Sequence, residues 1–165
     1  LAYDYITSLL IDEFDNIWIG TDGGGVQRFN RDEFQNISTT EGLSDDGVMF
    51  LIFDQFENIW AGTNNGLNRL NLDARKKLLT IDSYGILEGF EGIECNSNSA
   101  FLDRENRLWI GSRKLTVYDH RYDTKNDEEP YTHITNIRLF HENIDWLEHT
   151  DIFLAGSPNT VTKRW

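Results

Sequence analysis

One ten-residue pattern occurs three times in this chain of 165 residues, and a repeat of that kind limits the chain to folds assembled from like units. The copies read DEFDNIWIGT from Asp12, DQFENIWAGT from Asp54 and DRENRLWIGS from Asp103. In each, an aspartate (Asp12, Asp54, Asp103) stands six residues before a tryptophan (Trp18, Trp60, Trp109), and a glycine (Gly20, Gly62, Gly111) stands two residues after it. The tryptophans are 42 and 49 residues apart.

The surroundings of each copy read as β structure. An apolar run precedes the aspartate (ITSLLI from Ile6, VMFLIF from Val48, SAFL from Ser99), and a polar turn then leads to IWIG, IWAG or LWIG. Runs apolar on both alternating faces suit strands covered on both sides. A turn (TDGGG, TNNG or SRK) and a third strand follow: VQRFN, LNRLN or LTVYD. The first two copies add a fourth candidate, around Phe34–Thr39 and Leu78–Ser83. Four antiparallel strands every 40 to 50 residues form the unit of a β-propeller. The expected fold is therefore all-β: an incomplete propeller of three blades, about 1–40, 41–83 and 84–121. In it the tryptophans pack between blades and the repeated aspartates cap turns by accepting backbone N–H bonds.

Several chemistries are disfavoured. Gly23, Gly24 and Gly25 lead into a strand, with no Lys-Ser or Lys-Thr behind them, whereas a phosphate loop leads into a helix N-terminus. They read as a hairpin turn, as Asn64-Asn65-Gly66 does in the second copy. The acidic clusters DEFDN and LSDDG lack calcium-loop spacing, and the four histidines lack ligand spacing, so no metal and no cofactor are expected. Cys95 is the single cysteine, which precludes an intrachain disulfide, and no partner marks it as a nucleophile. A net charge of −13 opposes nucleic-acid binding. No run approaches the roughly 18 apolar residues of a membrane span, so no membrane contact is expected of this segment.

The pattern D-x-x-x-N-I-W-x-G-T-x-x-G-L-x-R-x-N resembles the two-component regulator propeller repeat, found in the sensor region of bacterial hybrid two-component receptors. EGLSDDGVMFLIFD, from Glu41, resembles that family's link between blades, and EGFEGIECNSNSAFLDRENRLWIGS, from Glu88, its final blade. The third copy departs at SRKLTVYD, which lacks the hairpin glycine. The polar stretch 122–130, ending in Pro130, reads as a linker. YTHITNIRLFHENI, from Tyr131, resembles the opening of the immunoglobulin-like (three-Tyr) sandwich that follows such propellers, which assigns 131–165 to the start of that domain. Three blades do not close a ring, and 35 residues after Pro130 do not make the roughly seven strands of a sandwich. An interior stretch of a longer receptor, prone to associate through open blade faces, is the expectation.

The resemblance implies an extracytoplasmic, periplasmic sensor segment of an inner-membrane histidine kinase. It implies an oligo- or disaccharide ligand released by carbohydrate breakdown, paired receptor chains, and no catalysis by this segment. A carbohydrate-active propeller enzyme and a protein-interaction propeller are the alternatives. Within the chain, recognition is expected where the repeat is broken. The insertion 83–99 contributes Glu94, Asn96 and Asn98, whose donors and acceptors suit sugar hydroxyls. Arg113 and Lys114, in place of the usual turn residues, suit a carboxylate or sulfate.

Overall fold

The computed structural model describes residues 3–123 together with two short strands, Ile137–Leu139 and Glu142–Ile144. The chain divides into two units, Leu1–Thr124 and Lys125–Trp165. In the second, the two described strands (β12, β13) form an antiparallel pair with Ile137 opposite Ile144. The expectations for the rest of the linker and sandwich, including His133, His141 and His149, fall outside the described residues.

The first unit is all β apart from two single-turn helices, Ile86–Glu88 and His120–Tyr122. Strands β1 (Ile6–Ile11), β2 (Ile17–Thr21), β3 (Gly25–Phe29) and β4 (Phe34–Ile37) form one antiparallel sheet in chain order. A second such sheet contains β5 (Val48–Phe53), β6 (Ile59–Thr63), β7 (Gly66–Leu72) and β8 (Leu78–Tyr84). The third has three described strands, β9 (Ala100–Leu102), β10 (Leu108–Gly111) and β11 (Leu115–Tyr118). These are the three blades, each a meander.

The repeated aspartate builds the turn between the first two strands of every blade. Asp12 Oδ1 accepts the backbone N–H groups of Phe14 and Asn16, both at 3.0 Å, and its Oδ2 accepts the Trp18 indole N–H, also at 3.0 Å. Asp54 serves Phe56, Asn58 and Trp60 in the same way, at 2.8, 2.9 and 3.1 Å. Asp103 serves Glu105, Arg107 and Trp109, at 2.9, 2.9 and 2.8 Å. The fourth residue of each turn has positive φ: Asp15, Glu57 and Asn106. One carboxylate thus satisfies two turn donors and the polar end of a side chain whose body is buried.

Two of the indoles, Trp18 and Trp60, fill the space between blades. Trp18 and Trp60 are fully buried. Trp18, Val26 and Ile37 of the first blade meet Val48, Leu51, Ile59, Ala61 and Leu70 of the second. Phe50, Trp60 and Leu67 of the second meet Leu108 and Ile110 of the third, with Phe90 and Cys95 of the intervening loop filling the same cluster. Burying one such side chain contributes roughly 4–6 kcal/mol of transfer free energy, taking its area as about 150–250 Å². A guanidinium lies over each ring: Arg28 at 5.7 Å from Trp18, Arg69 at 5.6 Å from Trp60 and Arg107 at 5.6 Å from Trp109. Arg28 and Arg69 stand directly opposite their tryptophans across the strand pair. Val117 holds that place in the third blade, and Arg107 reaches over from the turn instead.

Two strands expected to be covered on both faces are not so covered by any described residue. Leu9 and Ile11 of β1 are 59% and 66% exposed, and Phe101 of β9 is 64% exposed. Leu51, the equivalent of Leu9 in the second blade, faces a neighbouring blade and is buried, and Phe53 and Ile52, the equivalents of Ile11 and Phe101, are partly buried. Leu9 and Ile11 belong to the outer face of the first sheet, Phe101 to the opposite face of the third.

Gly62 faces Phe50 across β5 and β6, and a Cβ there would sit 2.1 Å from Phe50 Cε1, in steric overlap with the ring. Gly62→Ala is therefore expected to cost about 1–3 kcal/mol of unfolding free energy through overpacking, read by urea denaturation. The turn aspartates predict a pH effect as well. Hydrogen bonds, that from Trp109 first, hold the Asp103 carboxyl well below its ordinary value of 3.8. Burial opposes ionisation of Asp12, but the bonds from Asn16, Trp18 and Phe14 outweigh it and lower that pKa too. A depressed folded-state pKa gives stability that is complete above the unfolded value and lost as pH falls through the folded one. The Tm difference between the native chain and Asp103→Asn should be constant from pH 7 to 5 and shrink progressively below about pH 4.

Candidate functional site

Alternation of strand direction brings the β2–β3, β6–β7 and β10–β11 hairpin turns and both inter-blade connections to one end of the blades. The connections are bonded to the turns by backbone. Asp46 O accepts the N–H groups of Gly23 and Gly25 at 3.0 and 2.8 Å, and Gly47 O accepts that of Asn64 at 3.0 Å. Ile93 O accepts Gly66 N–H at 2.5 Å, and Cys95 N–H donates to Thr63 O at 3.0 Å. The triple glycine is thus a hairpin turn. Gly25 has φ +74°, and a Cβ there would lie 2.2 Å from Ile37 O, so only glycine fits. With two of its amides already donating to Asp46, the turn has no open cradle for phosphate. The LSDDG carboxylates are likewise engaged, Asp45 Oδ1 accepting Gly47 N–H and Asp46 Oδ1 accepting Thr39 N–H, both at 2.7 Å. Among the described residues no group of three or more His, Cys, Asp or Glu is arranged to hold a metal ion.

The 85–99 connection carries the features that interrupt the repeat. Two neighbouring cavities open along it. One, about 270 Å³, is lined by Asn64, Glu91, Gly92, Ile93, Glu94 and Arg113. The other, about 280 Å³, is lined by Asn65, Gly66, Ile86, Leu87, Glu88 and Ile93 among others. Ile93 forms the rib between them, and Ile86, Leu87 and Ile93 are exposed. Of the five candidate ligand residues, Glu94 and Arg113 share the first cavity. Neither makes an ion pair or a side-chain hydrogen bond among the described residues, so a carboxylate and a guanidinium there are open to a ligand.

The other three have internal roles or lie apart. Lys114 Nζ pairs with Glu91 Oε2. That hydrogen bond, and the cation behind it, lower the Glu91 pKa. Asn96 donates its backbone N–H to Gly111 O and its side-chain amide to Ser112 O, each at 3.0 Å. It thereby braces the hairpin that lacks a glycine. Within that hairpin the Ser112 hydroxyl donates to Lys114 O at 2.8 Å and accepts Lys114 N–H at 3.1 Å. Asn98 adopts φ 54° and donates its N–H to Met49 O at 3.3 Å. Asn64, Glu91 and Ile93 line the cavity without having been singled out by sequence. The repeat offered one signal, since Asn64 occupies in the second blade the turn position that Arg113 occupies in the third. Cys95 is buried, and that burial pushes its thiol up to about 11, which keeps it protonated.

The meandering blades, the shared inter-blade faces and the hairpin end define a β-propeller segment. Residues 1–23 match the family described as "Two component regulator propeller". No curated protein matches the sequence. Among solved structures, the chain is similar to the extracellular domain of the hybrid two component system BT3049 from B. thetaiotaomicron. The TM-score is 0.59 at 20% identity, covering 75% of this chain and 18% of that one. It is also similar to the extracellular domain of BT4673 of the same organism, with TM-score 0.58 at 18% identity, covering 73% and 17%. A third likeness is to virginiamycin B lyase from Staphylococcus aureus, TM-score 0.51 at 14% identity, covering 70% and 41%. The chain spans under a fifth of the length of the two extracellular domains. No helix among the described residues is long and apolar enough to cross a membrane.

Asn96→Ala removes the amide that holds Ser112 O. The expected cost is about 1 kcal/mol, with faster amide exchange at 111–114 and an unchanged rate in the first blade, read by exchange mass spectrometry.

Proposed function

We infer that this chain is part of the extracytoplasmic ligand-sensing region of a hybrid two-component sensor histidine kinase. Its role is recognition, and the phosphoryl chemistry of such a receptor resides elsewhere. The observation that carries the reading is the match of its repeat to two-component regulator propellers, joined to a fold like that of extracellular domains of such systems. The finer reading is that it detects an oligo- or disaccharide released by carbohydrate breakdown, in the periplasm, as one of a pair of receptor chains anchored in the inner membrane.

The supporting geometry is the cavity holding Arg113 and Glu94. A guanidinium without a partner among the described residues offers two parallel N–H donors to a carboxylate or sulfate, and Glu94 accepts from hydroxyls. Asn64 and Ile93 add an amide and an apolar wall for a ring face. Binding there lies against the connection between the second and third blades, where a ligand that prefers one arrangement of that connection shifts its population.

Isothermal titration of the chain against a panel of neutral, uronate-containing and sulfated oligosaccharides tests the reading. One class should bind, and Arg113→Ala should weaken it at least tenfold, as expected for a lost charged hydrogen bond. Binding that ignores both Arg113→Ala and Glu94→Gln would displace the site, and turnover of any panel member would replace sensing by catalysis.

A further inference from the structure

The cleft between the second and third blades holds a polar and aromatic cluster that the proposed ligand cavity does not use. Arg69 lies 5.6 Å from the Trp60 ring centroid and 5.9 Å from that of Tyr84. The Trp60 and Tyr118 centroids are 4.4 Å apart. One guanidinium nitrogen of Arg69 donates to Asp82 at 2.8 Å, and the other donates to the Tyr118 hydroxyl at 2.9 Å and to Asp123 Oδ2 at 3.3 Å. That same Oδ2 accepts the Tyr118 hydroxyl at 2.6 Å and the Tyr84 hydroxyl at 3.0 Å.

One carboxylate oxygen therefore receives three donors supplied by two blades, while Asp123 itself lies in neither sheet. It follows the His120–Tyr122 turn, where the chain leaves β11. The donors are held independently of it: Arg69 is set by β7 and its pairing with Asp82, Tyr84 ends β8 and Tyr118 ends β11. All three rest on Trp60, whose indole is fixed by Asp54. Burial pushes the Tyr118 hydroxyl up to about 12 and raises that of Tyr84 as well, so both remain donors. A guanidinium and two phenols converging on one point, fixed in advance by sheet and packing, are preorganised for a carboxylate.

We propose that Trp60, Arg69, Tyr84 and Tyr118 form a carboxylate-binding pocket whose occupant in this structure is the chain's own Asp123. With Asp123 seated, the segment leaving the third blade is pinned to the second blade as well. A small molecule bearing a carboxylate competes for the seat, and in taking it frees that segment. The pocket does not depend on the sensor reading, because its donors and its occupant are internal to the propeller unit.

Asp123→Ala empties the seat without altering the donors. Amide exchange at 118–123 should speed up by about tenfold in this variant, the scale of one charged hydrogen bond. Acetate, titrated to 100 mM against chloride at constant ionic strength, should raise the Tm of Asp123→Ala saturably, by about 2–4 °C. It should leave the native chain and the double variant Asp123→Ala/Tyr118→Phe unmoved. If Asp123→Ala does not fold, Asp123→Asn, equal in shape, carries the exchange measurement. Unchanged exchange at 118–123, no acetate effect on Asp123→Ala, or an equal effect on the native chain would each overturn the proposal.

Discussion

A hydrogen bond from an indole N–H to a carboxylate six residues earlier organises this protein. A tryptophan wedged between two sheets has one polar atom, and burying it unpaired costs about 1–3 kcal/mol. The aspartate that accepts it also accepts two backbone donors of the turn, so turn shape and blade packing are fixed by a single group. Because the bond is local, the position of each indole is set within its own blade. The long-range contacts, such as Trp18 against Leu51, are made by a surface that one blade defines by itself. The first and third copies make the bond at 3.0 and 2.8 Å, in spite of different residues between aspartate and tryptophan.

Much of the fold was legible because that geometry imposes a fixed spacing. The three Asp–Trp turns, the strands around them and the glycine hairpins could be read as written. A fourth turn of the same form was hidden. Asp73 Oδ1 accepts the N–H groups of Arg75 and Lys77, both at 2.8 Å, and Lys76 takes the positive φ of the fourth position. No tryptophan follows it, so the turn lacked its marker. Lys76 is buried at that turn, 2.6 Å from Glu57 and 3.6 Å from Glu13, which come from the aspartate turns of two successive blades. An ion triad assembled from three turns leaves no local pattern in a sequence.

The candidate site was half legible, for a related reason. Residue chemistry marked Glu94 and Arg113 as ligands in waiting, and it marked Asn96 equally. What separates them is a demand created elsewhere. The third hairpin, Ser112-Arg113-Lys114, lacks the glycine that closes its counterparts at Gly25 and Gly66, and Asn96 supplies the donor that Ser112 O needs. Asn64 reaches the same cavity from the equivalent turn position of the preceding blade. The Asp123 seat is a stronger case: Arg69, Tyr84, Tyr118 and Asp123 span 54 residues and share no motif.

The exposed faces at the two ends of the blade stack have a consequence for how such a chain changes over generations. Leu9 and Ile11 repeat the face that Leu51 presents to the first blade, while Phe101 and Trp109 repeat the face that Trp18 presents to the second. Each joint is therefore made by the same two halves. An in-frame tandem duplication of one 42-residue repeat would create a new joint of the existing kind and leave the old ones intact. Length in this architecture can be inherited in whole blades, without intermediates that must survive a broken core.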